Sequence, residues 1–535
     1  MDGHRLRSRS RPVATIVASV AIAVGTLGSG ALAQDPSAPA ASAPAAPTCA
    51  TPGGDLIMAR DQEATSLVPW LSTGNDKIFL QENIYDQLVM QLPGYKDPQP
   101  GLAESWDVSS DSLTYTFHLR DAKFSDGTPV TAEDVKFSMD RILDPAVKAD
   151  WAFLFPNVDS FEVIDPKTVV MHMKAVDASI LNSLTLPGGG IISKKAFETM
   201  GEDAFGKKPV GSGPFMVESQ TLGQDLKVVK NPYYWRTGQP YVDSVDFLTI
   251  PDPNARTLKI QSGEADIAEN IPYDQVDQVN QTPGVKVQIE PKMVGWYLTL
   301  NQKVKPFDEL AVRQAMNYAV DKDSINEAVL AGLGTVSNAM MVQNGLFWDP
   351  SVKPYPFDLA KAKELMAGSS VPGGFSFDVL LGKNNQMAVS GAEIIAAQLA
   401  EIGITMNIKQ VDDLFAPVSK LDFQAAMWGP VDLTSDSPDD AEIAGIFLGY
   451  DPFWQNWFSS WNDPKANDLV KQANSTLDHA ARQKLYSELQ QYAMDQAPWV
   501  TLLNAPATNA VSDKVTGFQT LPVGWWRLEN VCLAH

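Results

Sequence analysis

An α/β protein of more than one domain is what this sequence predicts, and three observations carry that expectation. From about Phe307 to Asn504, stretches with helical spacing alternate with short apolar strands, the pattern of a sheet flanked by helices. From Phe215 to Leu300 the chain is instead rich in strand candidates. Its 535 residues also exceed what one hydrophobic core holds, because single cores seldom grow beyond about 250–300 residues. No repeat with a period of roughly 20–50 residues is visible, which excludes a solenoid or a propeller.

The elements follow in order. Arg5, Arg7, Arg9 and Arg11 precede an apolar run from Val13 to about Leu27, and Ala31-Leu32-Ala33 follows it. This reads as a secretory signal peptide over 1–33, cleaved after Ala33. Ser19, Gly25, Thr26 and Gly28 interrupt the run, which is short for a membrane span of about 20 residues. Residues 34–52 form a Pro/Ala/Ser-rich leader that has little to bury. Asp55 to Ala59 alternates as an opening strand, and Ile78 to Met90 has the apolar spacing of a helix. Ser105 to Val108 and Leu113 to Leu119 read as paired strands around the polar turn Ser109-Ser110-Asp111, with Leu113, Tyr115, Phe117 and Leu119 on one face. Thr131 caps a helix whose first turn carries Glu133 and Asp134, acids suited to the positive end of its dipole. Val135, Phe137, Ser138, Met139 and Ile142 form its inner face. Further helices are expected over 310–319, 359–366, 391–402 and 479–494, with strands over 375–381 and 404–410 between them.

Composition narrows the chemistry. The net charge is −23, and removing the Arg-rich leader makes the mature chain more acidic still, so nucleic acid is excluded as a partner. Cys49 and Cys532 are the two cysteines, too few for a disulfide scaffold or a cysteine-based zinc domain. Export places both in an oxidising compartment, where they form either one bridge closing nearly the whole chain or two separate thiols. Cys49 lies well past the apolar run and lacks a lipid-attachment motif, so the expected location is the periplasm. His118, His172, His479 and His535 are scattered without metal-ligand spacing. No nucleophile elbow, Walker loop or dinucleotide fingerprint is present, so neither cofactor nor metal is expected. An exported hydrolase would need two carboxylates brought together by folding, and spacing identifies no such pair. Trp348, Trp428, Trp454, Trp457 and Trp461 fall in one stretch with Phe453 and Phe458. Aromatics gathered this way either pack a core or wall a cavity for an organic ligand.

The stretch GLAESWDVSSDSLTYTFHLRDAKFSDGTPVTAEDVKFSMDRI, residues 101–142, resembles the signature of family 5 extracytoplasmic solute-binding proteins, the peptide, nickel and oligosaccharide receptors of ABC importers. The likeness continues through PVGSGPFMV (209–217), NPYYW (231–235), RTLKIQSGEADI (256–267), PFDELAVRQAMNYAVDKDSI (306–325), DLAKAKELM (358–366), AEIIAAQLAEIGITMNI (392–408) and RQKLYSELQQYAMDQAPWVTLL (482–503). It therefore spans the mature chain in order.

What this resemblance implies is a two-lobe periplasmic-binding-protein fold, type II with three domains, mixed sheets and a hinged cleft. The first lobe would comprise 53–86, 193–302 and 499–535, with 87–192 packed on it. The second would be 303–498, joined through crossings near Asn301 and Pro498. Both chain ends then share a lobe, which brings Cys49 toward Cys532. The resemblance further implies a monomeric receptor, not an enzyme, that hands its ligand to membrane permease subunits. Peptide-binding relatives hold the ligand ammonium on an acid shortly after a Trp-Gly turn. Here Trp428-Gly429 leads to Asp432, one residue later than usual and after Pro430, with Asp436 following. Thr73, Gly74 and Asn75 occupy the loop that lines the cleft in relatives, and Trp454 is the further aromatic candidate. Dipeptide receptors carry a cation just before the helix near Gly391. This chain has Met387-Ala388-Val389-Ser390 there, with Lys383 nearest, so an oligopeptide fits better than a dipeptide. An oligosaccharide is the alternative, and nickel fits poorly with so few histidines.

Overall fold

The computed structural model describes residues 49–71, 75–95, 97–383, 385–429, 437–448, 460–521 and 523–534. Among these, eleven strands form one mixed sheet. Its spine is two long strands, Val285–Leu300 and Trp499–Ser512, which pair antiparallel. On one side, Trp499–Ser512 pairs with Ile267–Ala268, and the sheet continues through Asp55–Arg60, Ser244–Thr249, Asp225–Lys230 and Phe215–Thr221. On the other, Val285–Leu300 pairs with Ala425–Trp428, followed by Phe375–Gly382 and Ile404–Val411.

Strand direction decides where a ligand can sit. In the first half, Asp55–Arg60 is parallel to both Ser244–Thr249 and Ile267–Ala268. In the second, Phe375–Gly382 is parallel to both Ile404–Val411 and Ala425–Trp428. Ile267–Ala268 is antiparallel to one spine strand and Ala425–Trp428 to the other. The two parallel sets consequently run toward each other, and their carboxyl ends face across the middle of the spine.

The spine is irregular at that point. Pro291 stands opposite Pro506, and neither can donate an N–H to the ladder. Pairing resumes at Gly295 with Asn504 and slips again before Tyr297 with Thr501, so Lys292, Met293 and Val294 bulge against Ala505. Beyond the bulge, the period-two alternation of a strand fills two separate cores. Trp296, Leu298 and Leu300 pack with Met316, Val379 and Ile395, while Tyr297 packs with Met340, Trp428 and Tyr486 on the opposite face. Burial on both faces explains the near-continuous apolar runs of these strands.

A separate four-stranded sheet, Ala103–Val108, Thr114–Leu119, Thr168–Met173 and Val158–Asp165 in spatial order, shares the first half's core. Tyr115, Phe117 and Leu119 alternate inward as expected. His118 and His172 lie on the outer face beside Asp107 and Glu162 at 2.9 and 3.0 Å. The helix Ala132–Leu143 begins after Thr131, whose N–H donates to the Asp134 carboxylate at 3.0 Å. The helix expected over 78–90 instead spans Asn75–Ile84. Its continuation is stopped because Val89-Met90 pairs with Gln99-Pro100 and Asp86 turns to Trp235 and Arg527. The helix expected from 391 begins at Gln386, where Asn385 Oδ1 caps it through the Ala388 N–H. No helix of the described residues is long and apolar enough to cross a membrane. Cys49 and Cys532 are joined, with their Cα atoms 5.6 Å apart.

Candidate functional site

Ligands of open α/β sheets bind outside the carboxyl ends of the strands. Here two sets of such ends converge. In the second half they deliver Lys383, Asp412 and Gly429, the residues that follow Gly382, Val411 and Trp428. A cavity of about 600 Å³ lies there, lined by Lys383, Asn385, Met387, Asp412, Phe415 and Trp428 among others. Trp428 is fully buried at its wall and meets Phe415 edge-on at 5.0 Å, whereas Phe415 is 47% exposed. Lys383 forms an ion pair with Asp412. Asn385 fixes the wall in two directions, capping its helix and donating from Nδ2 to the Gly429 carbonyl at 3.1 Å.

Gly429 cannot be replaced cheaply. Its φ is +91°, and a Cβ would come within 2.7 Å of the Gly295 carbonyl oxygen. Only glycine lets the loop after Trp428 press against the spine where the ladder breaks.

In the first half the converging ends deliver charge. Arg60 ends its strand, and its Nε donates to Glu269 Oε2 at 2.9 Å. Trp526 Nε1 donates to the other Glu269 oxygen at 2.7 Å. The Arg60 guanidinium lies 5.4 Å from the Phe79 ring centre and 5.6 Å from that of Trp526, close enough for cation–π attraction. Asp61 accepts from Asn270 Nδ2 at 3.1 Å. Lys292, in the bulge, lies between the two sets of ends.

Away from the spine the two halves also touch. Asp439 is completely buried, is held by Arg482 at 2.5 and 2.8 Å, and accepts from Asn182 Nδ2 at 3.1 Å. Beside it, the Ala178 N–H donates to the Asn474 carbonyl at 2.8 Å.

Of the expected site residues, Trp428 lines the cavity, and Gly429 follows it, bonded through its carbonyl to the lining residue Asn385. Asn75 opens the helix Asn75–Ile84. Thr73, Gly74, Asp432, Asp436 and Trp454 lie outside the described residues. Within the tryptophan group, Trp461 is core, against Trp499 and Tyr492, and Trp348 donates to Asn338. Arg60, Glu269, Trp526 and Lys292 were not singled out from sequence. Arg60 and Glu269 directly follow apolar strands in sequence, a signal that marks strand ends but not which ends converge.

This geometry, a sheet whose two parallel halves oppose their carboxyl ends across a broken spine, defines a ligand receptor with a cleft. Residues 97–454 match the middle region of the bacterial extracellular solute-binding proteins, family 5, and the chain belongs to that family. It is the substrate-binding component of an ABC importer, extracytoplasmic, binding a small ligand for delivery to the permease. The chain is 30% identical over 503 residues to the glutathione-binding protein GsiB of Escherichia coli K12, covering 91% of this chain and 96% of that one. Its fold is similar to the periplasmic binding protein DppA of Helicobacter pylori in complex with the peptide STSA, with TM-score 0.79, 27% identity, and 91% and 99% of the two chains covered. It is also similar to AgaA of A. tumefaciens R10 in complex with agropinic acid, with TM-score 0.77, 28% identity, and 90% and 99% covered.

Proposed function

We propose that the ligand is a short peptide, an oligopeptide rather than a dipeptide, closed between two lobes that meet along the spine. The observation that carries this reading is the cavity of about 600 Å³ at the second set of strand ends, where an aromatic wall adjoins Asn385, Lys383 and Asp412. Apolar area with a few fixed polar groups suits a side chain and a peptide unit together. The pairing breaks at Pro291–Pro506 and before Tyr297–Thr501 supply a hinge, ahead of the crossing near Asn301 expected from the resemblance. Ligand contacts to both lobes then favour the closed state by their differential affinity. The peptide-type ligands of GsiB and DppA support this assignment. Asp432 is the proposed partner of the peptide ammonium.

The half-exposed Phe415 against Trp428 favours one alternative, an oligosaccharide stacked on the ring. A thermal-shift series with glutathione, the tetrapeptide Ser-Thr-Ser-Ala, a dipeptide and a cello-oligosaccharide separates the two. A true ligand at a hundredfold excess over its Kd stabilises the native state by about 2.7 kcal/mol. The expected result is a shift with the tetrapeptide that Asp432→Ala removes. A shift with the glycan alone sinks the peptide reading.

A further inference from the structure

Lys292 occupies an unusual position for a cation. It lies in the bulge of the spine, at the level along the spine where neither parallel set extends. Its stem runs along the C-terminal tail, since a Cβ at Gly524 would come within 2.9 Å of Lys292 Cβ. The side chain is only partly exposed. Among the described residues it makes no hydrogen bond and no ion pair. The acids whose charge acts on it, Asp61 and Glu269, are engaged elsewhere, Glu269 by Arg60 and Trp526 through both oxygens and Asp61 by Asn270. Burial lowers the ammonium's pKa from its ordinary value even against the pull of these two carboxylates. A desolvated ammonium without a partner is costly, and a ligand anion that reaches it offsets that cost.

We infer that Lys292 is a specificity residue that receives a carboxylate of the ligand, so that this receptor selects anionic, carboxylate-bearing molecules. The ligand's acid end then lies on the spine and its body against Trp428 and Phe415. This deepens the peptide reading and rests on the same cleft.

The test compares acid and amide forms of one molecule. Ser-Thr-Ser-Ala and its C-terminal amide are titrated by calorimetry into the full mature protein, its Lys292→Met variant and its Lys292→Arg variant. A charge-assisted hydrogen bond predicts that the wild type prefers the acid by roughly ten- to a hundredfold. Lys292→Met is expected to bring that ratio to about one while amide affinity holds, and Lys292→Arg to retain most of it. An acid-to-amide ratio that survives Lys292→Met overturns the assignment. Succinate, glutamate and agropinic acid, each beside its neutral amide, provide a second thermal-shift arm. A carboxylate shift lost in Lys292→Met, without any peptide binding, keeps the assignment and rejects the peptide reading. If no carboxylate in either arm binds the wild type, the assignment fails. Circular dichroism confirms folding, and the unliganded Lys292→Met protein should melt no lower than wild type.

Discussion

Around Arg527 three carboxylates crowd one guanidinium, whereas at Arg482 a single carboxylate faces a single guanidinium. In the first cluster Arg527 reaches Glu529 at 3.0 Å, Asp86 at 3.2 Å and Glu82 at 3.3 Å, all fully interior, with Arg236 at 3.6 Å from Glu529. Acid is in excess there, and the groups respond differently. Burial pushes the Glu82 carboxyl up to about 7 and raises Asp86, while for Glu529 the attraction of Arg527 and Arg236 overcomes burial and lowers it. In the second cluster the pull of Asp439 on Arg482 overcomes burial. The difference separates two jobs. The first cluster binds the C-terminal tail to the helix Asn75–Ile84 and the turn after it, inside one hydrophobic core. In the second, Asp439 Oδ2 is shared between Arg482 and Asn182, which belongs to a helix packed in the other half's core. One is internal cement within a single core; the other is a contact across a boundary.

The largest expected effect comes from removing the shared cation. Arg527→Met leaves Glu82, Asp86 and Glu529 buried without their main partner, and loss of one partner from a buried ion cluster costs about 3–5 kcal/mol. Urea denaturation should show a much lower midpoint, and an unchanged midpoint would contradict the cement role.

A pH series sharpens the contrast next. Glu82 titrates near 7 in the folded chain against an ordinary 4.5, so between those values the native state holds a proton that the unfolded state has released. Stability from this group is therefore full at acid pH and declines as pH rises through about 7, by roughly 3 kcal/mol. Asp86 acts in the same direction. Urea midpoints measured from pH 5 to 8 should fall more steeply for wild type than for Glu82→Gln. Parallel profiles would mean that the cluster carries no extra proton.

The smallest effect belongs to the boundary. Asn182→Ala removes one hydrogen bond to Asp439, worth about 1 kcal/mol, and leaves the Arg482 pair in place. Small-angle scattering of the unliganded protein should report a larger radius of gyration with little change in melting temperature. A lowered melting temperature with an unchanged radius would make the contact cement as well, erasing the distinction between the clusters.

Much of the fold was legible because its signals are local. The alternation of Thr114–Leu119, the Thr131 cap and the helices Leu310–Ala319 and His479–Gln496 each rest on residues a few positions apart. Where a distant partner competes, local reading fails. The apolar spacing up to Met90 suggests helix, yet Asp86 is drawn to a tail more than four hundred residues away. Half of the site was legible in the same uneven way. Trp428 and Gly429 stand in a recognisable turn, while nothing around Lys292 or Glu269 marks either as facing a cleft.

The sequence by itself determined the α/β class, the apolar strands of the spine and the family, since these reside in periodicity and contiguous motifs. Tertiary structure alone decided which strand ends meet. Parallel and antiparallel neighbours read alike in sequence, and only their pairing makes Arg60, Glu269 and Trp428 converge. It likewise decided the fate of Pro291 and Pro506, which are ordinary prolines until register sets them opposite each other. Two missing donors at one rung then break the ladder and open the bulge that holds Lys292.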